Sequence, residues 1–147
     1  MFQNIVCAVD GSEHAARAAT AAAALAAKFG GKLTLLTVAK ELKMTEEVKR
    51  YIELEHLSGE PQYVLDEYTE SVIDKAKEAA EAEGLRGVQT EVRSGNPARS
   101  IVEFAERKKA DCIVLGRRGM GDIEGVFLGS VSFKVNSLAN CTVITVK

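Results

Sequence analysis

Gly116, Gly119 and Gly129 are spaced as Gly-x2-Gly-x9-Gly, and Ser130 follows at once. With Gly121 and Gly125, five glycines fall between Gly116 and Ser130. Glycine takes positive φ and has no Cβ, so such a loop brings backbone N–H groups close to an anion. The apolar run Asp111-Cys112-Ile113-Val114-Leu115 leads in, and a helix starting near Ser130 leads out. A helix start adds unpaired N–H groups and a partial positive charge. The expected chemistry is a cradle for a nucleotide's phosphates.

Asp10 is the second candidate. It ends the apolar run Ile5-Val6-Cys7-Ala8-Val9 and precedes Gly11-Ser12. An aspartate before glycine suits a turn. At the end of a strand facing a ligand crevice it also suits a ribose hydroxyl or an indirect magnesium contact. The crevice argument favours the ligand role. Asp122 and Glu124 would repel phosphate and are read as facing solvent.

Catalytic machinery is hard to find. Phosphoryl transfer needs a positioned metal, a base or oriented water, and charge stabilisation. The glycines are followed by Ser130, not by the lysine of a Walker loop. No Ser-His-Asp or Cys-His arrangement emerges. The expectation is nucleotide binding with slow or absent hydrolysis; a slow ATPase or nucleotide-dependent transferase is the alternative. A flavodoxin-like flavin carrier would want a hydroxyl-rich loop where Asp10-Gly11-Ser12-Glu13 stands, and a receiver would want clustered acids around Asp10.

The positioning elements follow from pattern. Phe2 to Val9 reads as a central strand, because its apolar run is continuous. Ser12 caps an alanine-rich helix that runs to Phe29 and stops at Gly30-Gly31. Lys32 to Val38 is a second strand. In the charged stretch from Lys40 to Gly59, Val48, Tyr51, Ile52 and Glu55 suggest one amphipathic helix with a solvated face that includes Lys40, Glu41 and Lys43. Pro61 opens a helix to Glu83 with Val64, Leu65, Tyr68, Val72, Ala76, Ala79 and Ala80 on one face, and Gly84 closes it. Val88 to Arg93 alternates and is half polar, which places it at a sheet edge. Asn96 and Pro97 start a helix to Lys108, with Ile101, Phe104 and Ala105 inward. Asp111 to Leu115 is the fourth strand. Ser130 opens a helix carrying Val131, Val135 and Leu138, ended by Asn140, and Thr142 to Val146 is a last strand at the other edge. Strands alternating with helices mean an open parallel sheet covered on both faces. Its ligand belongs beyond the carboxyl ends of the strands, where the winding reverses. Neighbouring first and fourth strands would set Asp10 beside Gly116.

Composition bounds the class. The chain has 147 residues, 46% hydrophobic and 27% charged, near globular averages and consistent with one domain over residues 1–147. A net charge of -2 gives no support to nucleic-acid binding. Cys7, Cys112 and Cys141 fit no metal spacing and read as buried small hydrophobes in a reducing compartment. The Ala15 to Ala27 run follows acidic residues and is interrupted by Arg17, so neither a signal peptide nor a membrane span is expected, and a cytoplasmic location is.

Ile5-Val6-Cys7-Ala8-Val9-Asp10-Gly11-Ser12, the Gly116-x2-Gly119-x9-Gly129-Ser130 pattern and the final Val143-Ile144-Thr145-Val146 strand together resemble the nucleotide-binding branch of the universal stress protein family, over essentially the whole chain. The resemblance implies a Rossmann-like α/β fold of the adenine nucleotide alpha hydrolase type, with strand order 3-2-1-4-5. It implies ATP or AMP between strands 1 and 4. Ala8 and Val9 would line the adenine, Val38 would pack on the base, and Asp10 would stand near the ribose and a magnesium ion. Leu115 and Gly116 would form the adenine and ribose edge, and Arg118 and Gly119 would meet the phosphates. Gly129, Ser130, Val131 and Ser132 would hold the phosphate tail. A homodimer through the last strand and a protein partner that reads the bound state are also implied. The pair Arg117-Arg118 either tightens triphosphate binding or is solvated.

Overall fold

A computed structural model describes residues 1–39, 45–54, 61–120 and 128–147; at 48, 51–52 and 61–65 only the backbone is described. Lys40, Glu41, Lys43, Glu55, Gly121, Asp122, Glu124 and Gly125 lie outside the described residues, as do the side chains of Val48, Tyr51, Ile52, Val64 and Leu65.

The elements run β1 (Asn4–Ala8), α1 (Glu13–Phe29), β2 (Lys32–Ala39), α2 (Glu46–Leu54), α3 (Pro61–Ala82), β3 (Gln89–Ser94), α4 (Pro97–Arg107), β4 (Cys112–Gly116), α5 (Ser130–Leu138) and β5 (Thr142–Val146). All five strands are parallel, in the order β3-β2-β1-β4-β5. The expected sheet is therefore present, with β3 and β5 at its edges. The chain winds outward from β1 to β2 and β3, then crosses over to β4. The reversal falls between β1 and β4, where Ile5 pairs with Cys112 and Ala8 with Leu115.

Two cores flank the sheet. On one face Ile5, Cys7, Leu33, Leu35 and Val114 pack against α1 and α3. The buried side of α1 is wholly alanine: Ala15, Ala18, Ala19, Ala22, Ala23 and Ala26. Alanine favours the helix and lets its backbone lie close to the strands. On the other face Val6, Leu36, Ile113 and Leu115 pack against Ile101, Phe104 and Ala105 of α4 and Val135 of α5. Continuous apolar runs in β1 and β4 follow from burial on both sides.

Helix ends match their sequence signals. The Ser12 side chain accepts from the Ala15 N–H at 3.1 Å, and Asn96 caps α4 by accepting from the Arg99 N–H at 3.1 Å. Gly30 ends α1 in the left-handed region at φ 65°.

Ser130 opens α5 as expected, with Gly129 as its cap residue and no side-chain hydrogen bond there. Two expectations change. Leu138 is 54% exposed, because α5 turns its inward stripe through Val135 instead. Tyr68 is 48% exposed, because it leaves the inward face of α3 to lie over the turn at Gly11.

Candidate functional site

The site is built where β1 and β4 end. The Val9 N–H donates to the Leu36 carbonyl at 2.9 Å, which carries the pairing of β1 with β2 one step past the strand. The chain then turns at Asp10-Gly11. The Asp10 Oδ1 accepts from the Ser12 N–H at 3.0 Å. Gly11 sits at φ 88°, and a Cβ there would come 2.7 Å from the Tyr68 hydroxyl. The backbone conformation calls for glycine.

The second loop leaves β4 at Gly116, which packs against the first turn of α1: a Cβ there would lie 2.8 Å from the His14 Cβ and 2.9 Å from its carbonyl carbon. The first glycine of the pattern thus admits the start of α1 while it also lines the cavity described below. The Arg117 N–H donates to the Val146 carbonyl at 2.7 Å, so the loop also leans on β5. The loop closes on itself. The Gly129 N–H donates to the Arg117 carbonyl at 2.8 Å. The buried Ser132 hydroxyl reaches the same carbonyl at 2.8 Å and the Gly129 carbonyl at 3.0 Å.

These two loops meet directly. The Asp10 Oδ2 accepts from the Met120 N–H at 3.1 Å. The carboxylate is thereby oriented by one amide from its own turn and one from the glycine loop.

A cavity of about 640 Å³ opens at this junction, within the range of small-molecule sites. Ala8, Val9, Asp10, Val38, Leu115, Gly116, Arg118, Gly119, Ser130, Val131 and Ser132 line it. Gly129 does not; it is buried behind the wall and its N–H is committed to Arg117. The first turn of α5 faces the cavity through Ser130, Val131 and Ser132, whose N–H groups have no acceptor within the helix. That end of α5 carries the partial positive charge, and Arg118 and Lys134 add two cations to the lining. One end of the cavity is thus suited to an anion. The other, with Leu36, Val38, Ile101 and Leu115, is apolar.

Sequence reasoning missed the lining residues Thr37, Tyr68, Thr69, Ala98 and Lys134, and it treated Asn96 and Pro97 only as a helix start. A signal existed for the last two. In a parallel sheet every helix begins at the edge where the strands end, so the start of α4 belongs to the same crevice.

Among the described residues no group of three or more His, Cys, Asp or Glu could hold a metal ion by itself. One carboxylate facing a phosphate cradle fits magnesium carried in with a nucleotide, because that ion commonly takes one or two carboxylates plus phosphate oxygens. The cysteines are unsuited to nucleophilic work. Burial, then the neighbouring Cys112, raises the Cys7 thiol. Burial, with Cys141 and Asp111 nearby, pushes Cys112 up to about 11. No described helix is long and apolar enough to cross a membrane.

Comparison with known proteins agrees with this arrangement. The model of the universal stress protein family matches residues 1–147. A universal stress protein of Thermus aquaticus, encoded in the QAH/OAS sulfhydrylase 3' region, is 38% identical, with both chains fully covered. Universal stress protein YxiE of Bacillus subtilis (strain 168) is 32% identical, again over the whole of both. Among solved structures, a universal stress protein in complex with cAMP superposes with a TM-score of 0.70 at 27% identity, covering 99% of this chain and 97% of its own. With the strand order, the crevice and a full-length family match in agreement, this chain belongs to the universal stress protein family.

Proposed function

We propose that this chain binds an adenine nucleotide, ATP or AMP, across the ends of β1 and β4, and that it acts as a regulatory stress-response protein with little or no hydrolysis. The observation that carries the reading is the junction itself. A cavity of nucleotide size lies where the Asp10 carboxylate is tied to the glycine loop, with the start of α5 alongside. A related structure that holds cAMP supports adenine as the base.

In this reading the base lies against Ala8, Val38 and Leu115. The ribose lies by Asp10, and the phosphates reach Arg118, Gly119 and the N–H groups of Ser130, Val131 and Ser132. When bound, magnesium would add charge neutralisation at the phosphates, held on the protein side by Asp10. The arginine and the helix start act together, because a helix end alone contributes only about 0.3–2 kcal/mol.

The folded chain is proposed to work as one cytoplasmic domain and as a homodimer. β5 ends the sheet, and its Val143, Ile144 and Val146 are only partly buried. An uncovered edge of this kind invites pairing with a second copy. A monomer mass at micromolar protein would remove that part of the proposal.

The test is to denature purified protein, identify the nucleotide released, and assay turnover on added ATP. Released ATP, ADP or AMP with negligible turnover supports the reading. A kcat above ~1 per second, in the ordinary enzyme range, would replace it with an ATPase or transferase.

A further inference from the structure

β3 closes the edge of the sheet opposite β5 and pairs with β2 alone. Its outer side carries N–H and C=O groups with no strand partner among the described residues. The strand runs for six residues, Gln89–Ser94. Val92, near its middle, is 45% exposed. An edge of this length is a template for pairing with another chain unless something blunts it.

Beside this edge the structure gathers positive charge. The Arg93 guanidinium lies 5.6 Å from the centroid of the Phe104 ring, the Arg107 guanidinium 6.0 Å and the Lys108 ammonium 5.7 Å. An aromatic ring attracts cations to its face, but it carries no net charge and neutralises none of them. One carboxylate meets the three heads: Glu91 accepts from Arg93 Nη2 at 2.8 Å. Among the described residues Arg107 and Lys108 make no ion pair, even with Glu103 one turn earlier. Glu106 is engaged by the Asn140 amide at 2.9 Å. Arg93 is itself incompletely satisfied, since its Nε is buried without an acceptor. This flank is thus cationic in a chain whose net charge is -2.

We propose that the β3 edge is a docking surface for an extended acidic segment of a partner protein, which adds to the sheet as a sixth strand. Strand addition takes affinity from main-chain hydrogen bonds and specificity from alternate side chains. Side chains alternate along a strand, so Glu91 and Arg93 share the α4 face and Val92 stands on the other. Neighbouring strands pair side chains that share a face. On the α4 face the incoming residues meet Arg93, with Arg107 and Lys108 behind it, which calls for glutamate or aspartate. On the other face they meet Val92, which calls for an apolar β-branched residue. The surface therefore recognises acids alternating with apolar residues. It lies at the edge away from β5 and stands apart from the nucleotide-binding reading.

The test titrates isotope-labelled full-length protein, followed by amide NMR shifts, with a blocked peptide of four glutamate-valine repeats. Shift changes should centre on Gln89 to Ser94 and the facing part of α4, and hydrogen exchange in β3 should slow. The matching lysine-valine peptide should not bind. Two further peptides carry N-methyl groups on every glutamate or on every valine. One set of N–H groups faces β3 and the other faces away, so one peptide should lose binding and the other keep it. The double variant Arg107→Gln, Lys108→Gln should bind the glutamate peptide about threefold or more weakly, the worth of two exposed ion pairs. Its amide shifts far from α4 and β3 should match wild type, which shows the fold kept. No binding of the glutamate peptide, or equal binding of the lysine peptide, would overturn the proposal. So would N-methylated peptides that behave alike, or a double variant with unchanged affinity. Inorganic polyphosphate that shifts β3 as strongly as the peptide would reveal a general polyanion site and would overturn strand addition.

Discussion

The Asp10 carboxylate accepts the backbone N–H of Met120 at 3.1 Å, joining positions separated by 110 residues. Its other oxygen accepts the Ser12 N–H at 3.0 Å. Asparagine has the same shape but offers one acceptor oxygen and one donor amide. Asp10→Asn can keep only one of the two bonds and loses the charge. Hydrogen bonds to a charged group are worth about 1.5–3 kcal/mol. Hydrogen exchange at the Met120 amide should speed up in Asp10→Asn, and adenine nucleotide affinity should fall about tenfold or more. Unchanged exchange at Met120 would show that the bond does not hold the loop.

Gly116 is predicted to act through packing. A methyl group there would meet the backbone carbonyl carbon of His14 at 2.9 Å, and backbone does not give way by a rotamer change. Gly116→Ala should lower stability by about 1–3 kcal/mol, the usual cost of overpacking. Thermal or urea unfolding measures it. A neutral result would mean that the start of α1 shifts freely.

Ser132 is predicted to be a clasp as well as part of the cavity wall. Its hydroxyl bonds the Arg117 and Gly129 carbonyls from a position only 2% exposed. Both carbonyls also accept backbone N–H groups, so neither is orphaned by its removal. Ser132→Ala should therefore cost only about 1 kcal/mol, the net worth of an ordinary hydrogen bond. Denaturant titration should show a lower midpoint at constant slope.

The buried thiols give an alkaline limit. Cys112 is pushed by burial from an ordinary 9.0 to about 11, so the folded chain holds its proton where the unfolded chain loses it. Its contribution to stability is full below pH 9.0 and is lost as pH rises toward about 11. Unfolding midpoints measured across that window should fall with pH, and the fall should lessen in Cys112→Ala relative to that variant's own value at pH 8. Thiol-reactive reagents at pH 8 should label Cys7 and Cys112 only on unfolding.

Most of the sheet was legible because its signals are local. Continuous apolar runs marked β1 and β4, Ser12 and Asn96 marked helix starts, and the half-polar β3 marked an edge. The alternation of strands with helices then implied a parallel sheet, and the family resemblance supplied its order. What escaped depends on which distant groups share space. Gly116, read as part of the adenine and ribose edge, does line the cavity, but its tight packing against His14 joins residues far apart in the chain. Gly129 looked like a phosphate ligand, but its N–H closes the loop on Arg117. Thr37 looked like an ordinary strand residue, and only the tertiary structure sets it in the cavity wall. No periodicity encodes these pairings.

The central claim is that an adenine nucleotide occupies the crevice between Asp10 and the start of α5. Calorimetry of nucleotide-free protein titrated with ATP tests it most directly. The account predicts a saturable signal with one nucleotide per chain, weakened in Asp10→Asn. No heat with millimolar adenine nucleotide, at two temperatures to guard against a vanishing enthalpy, would contradict it.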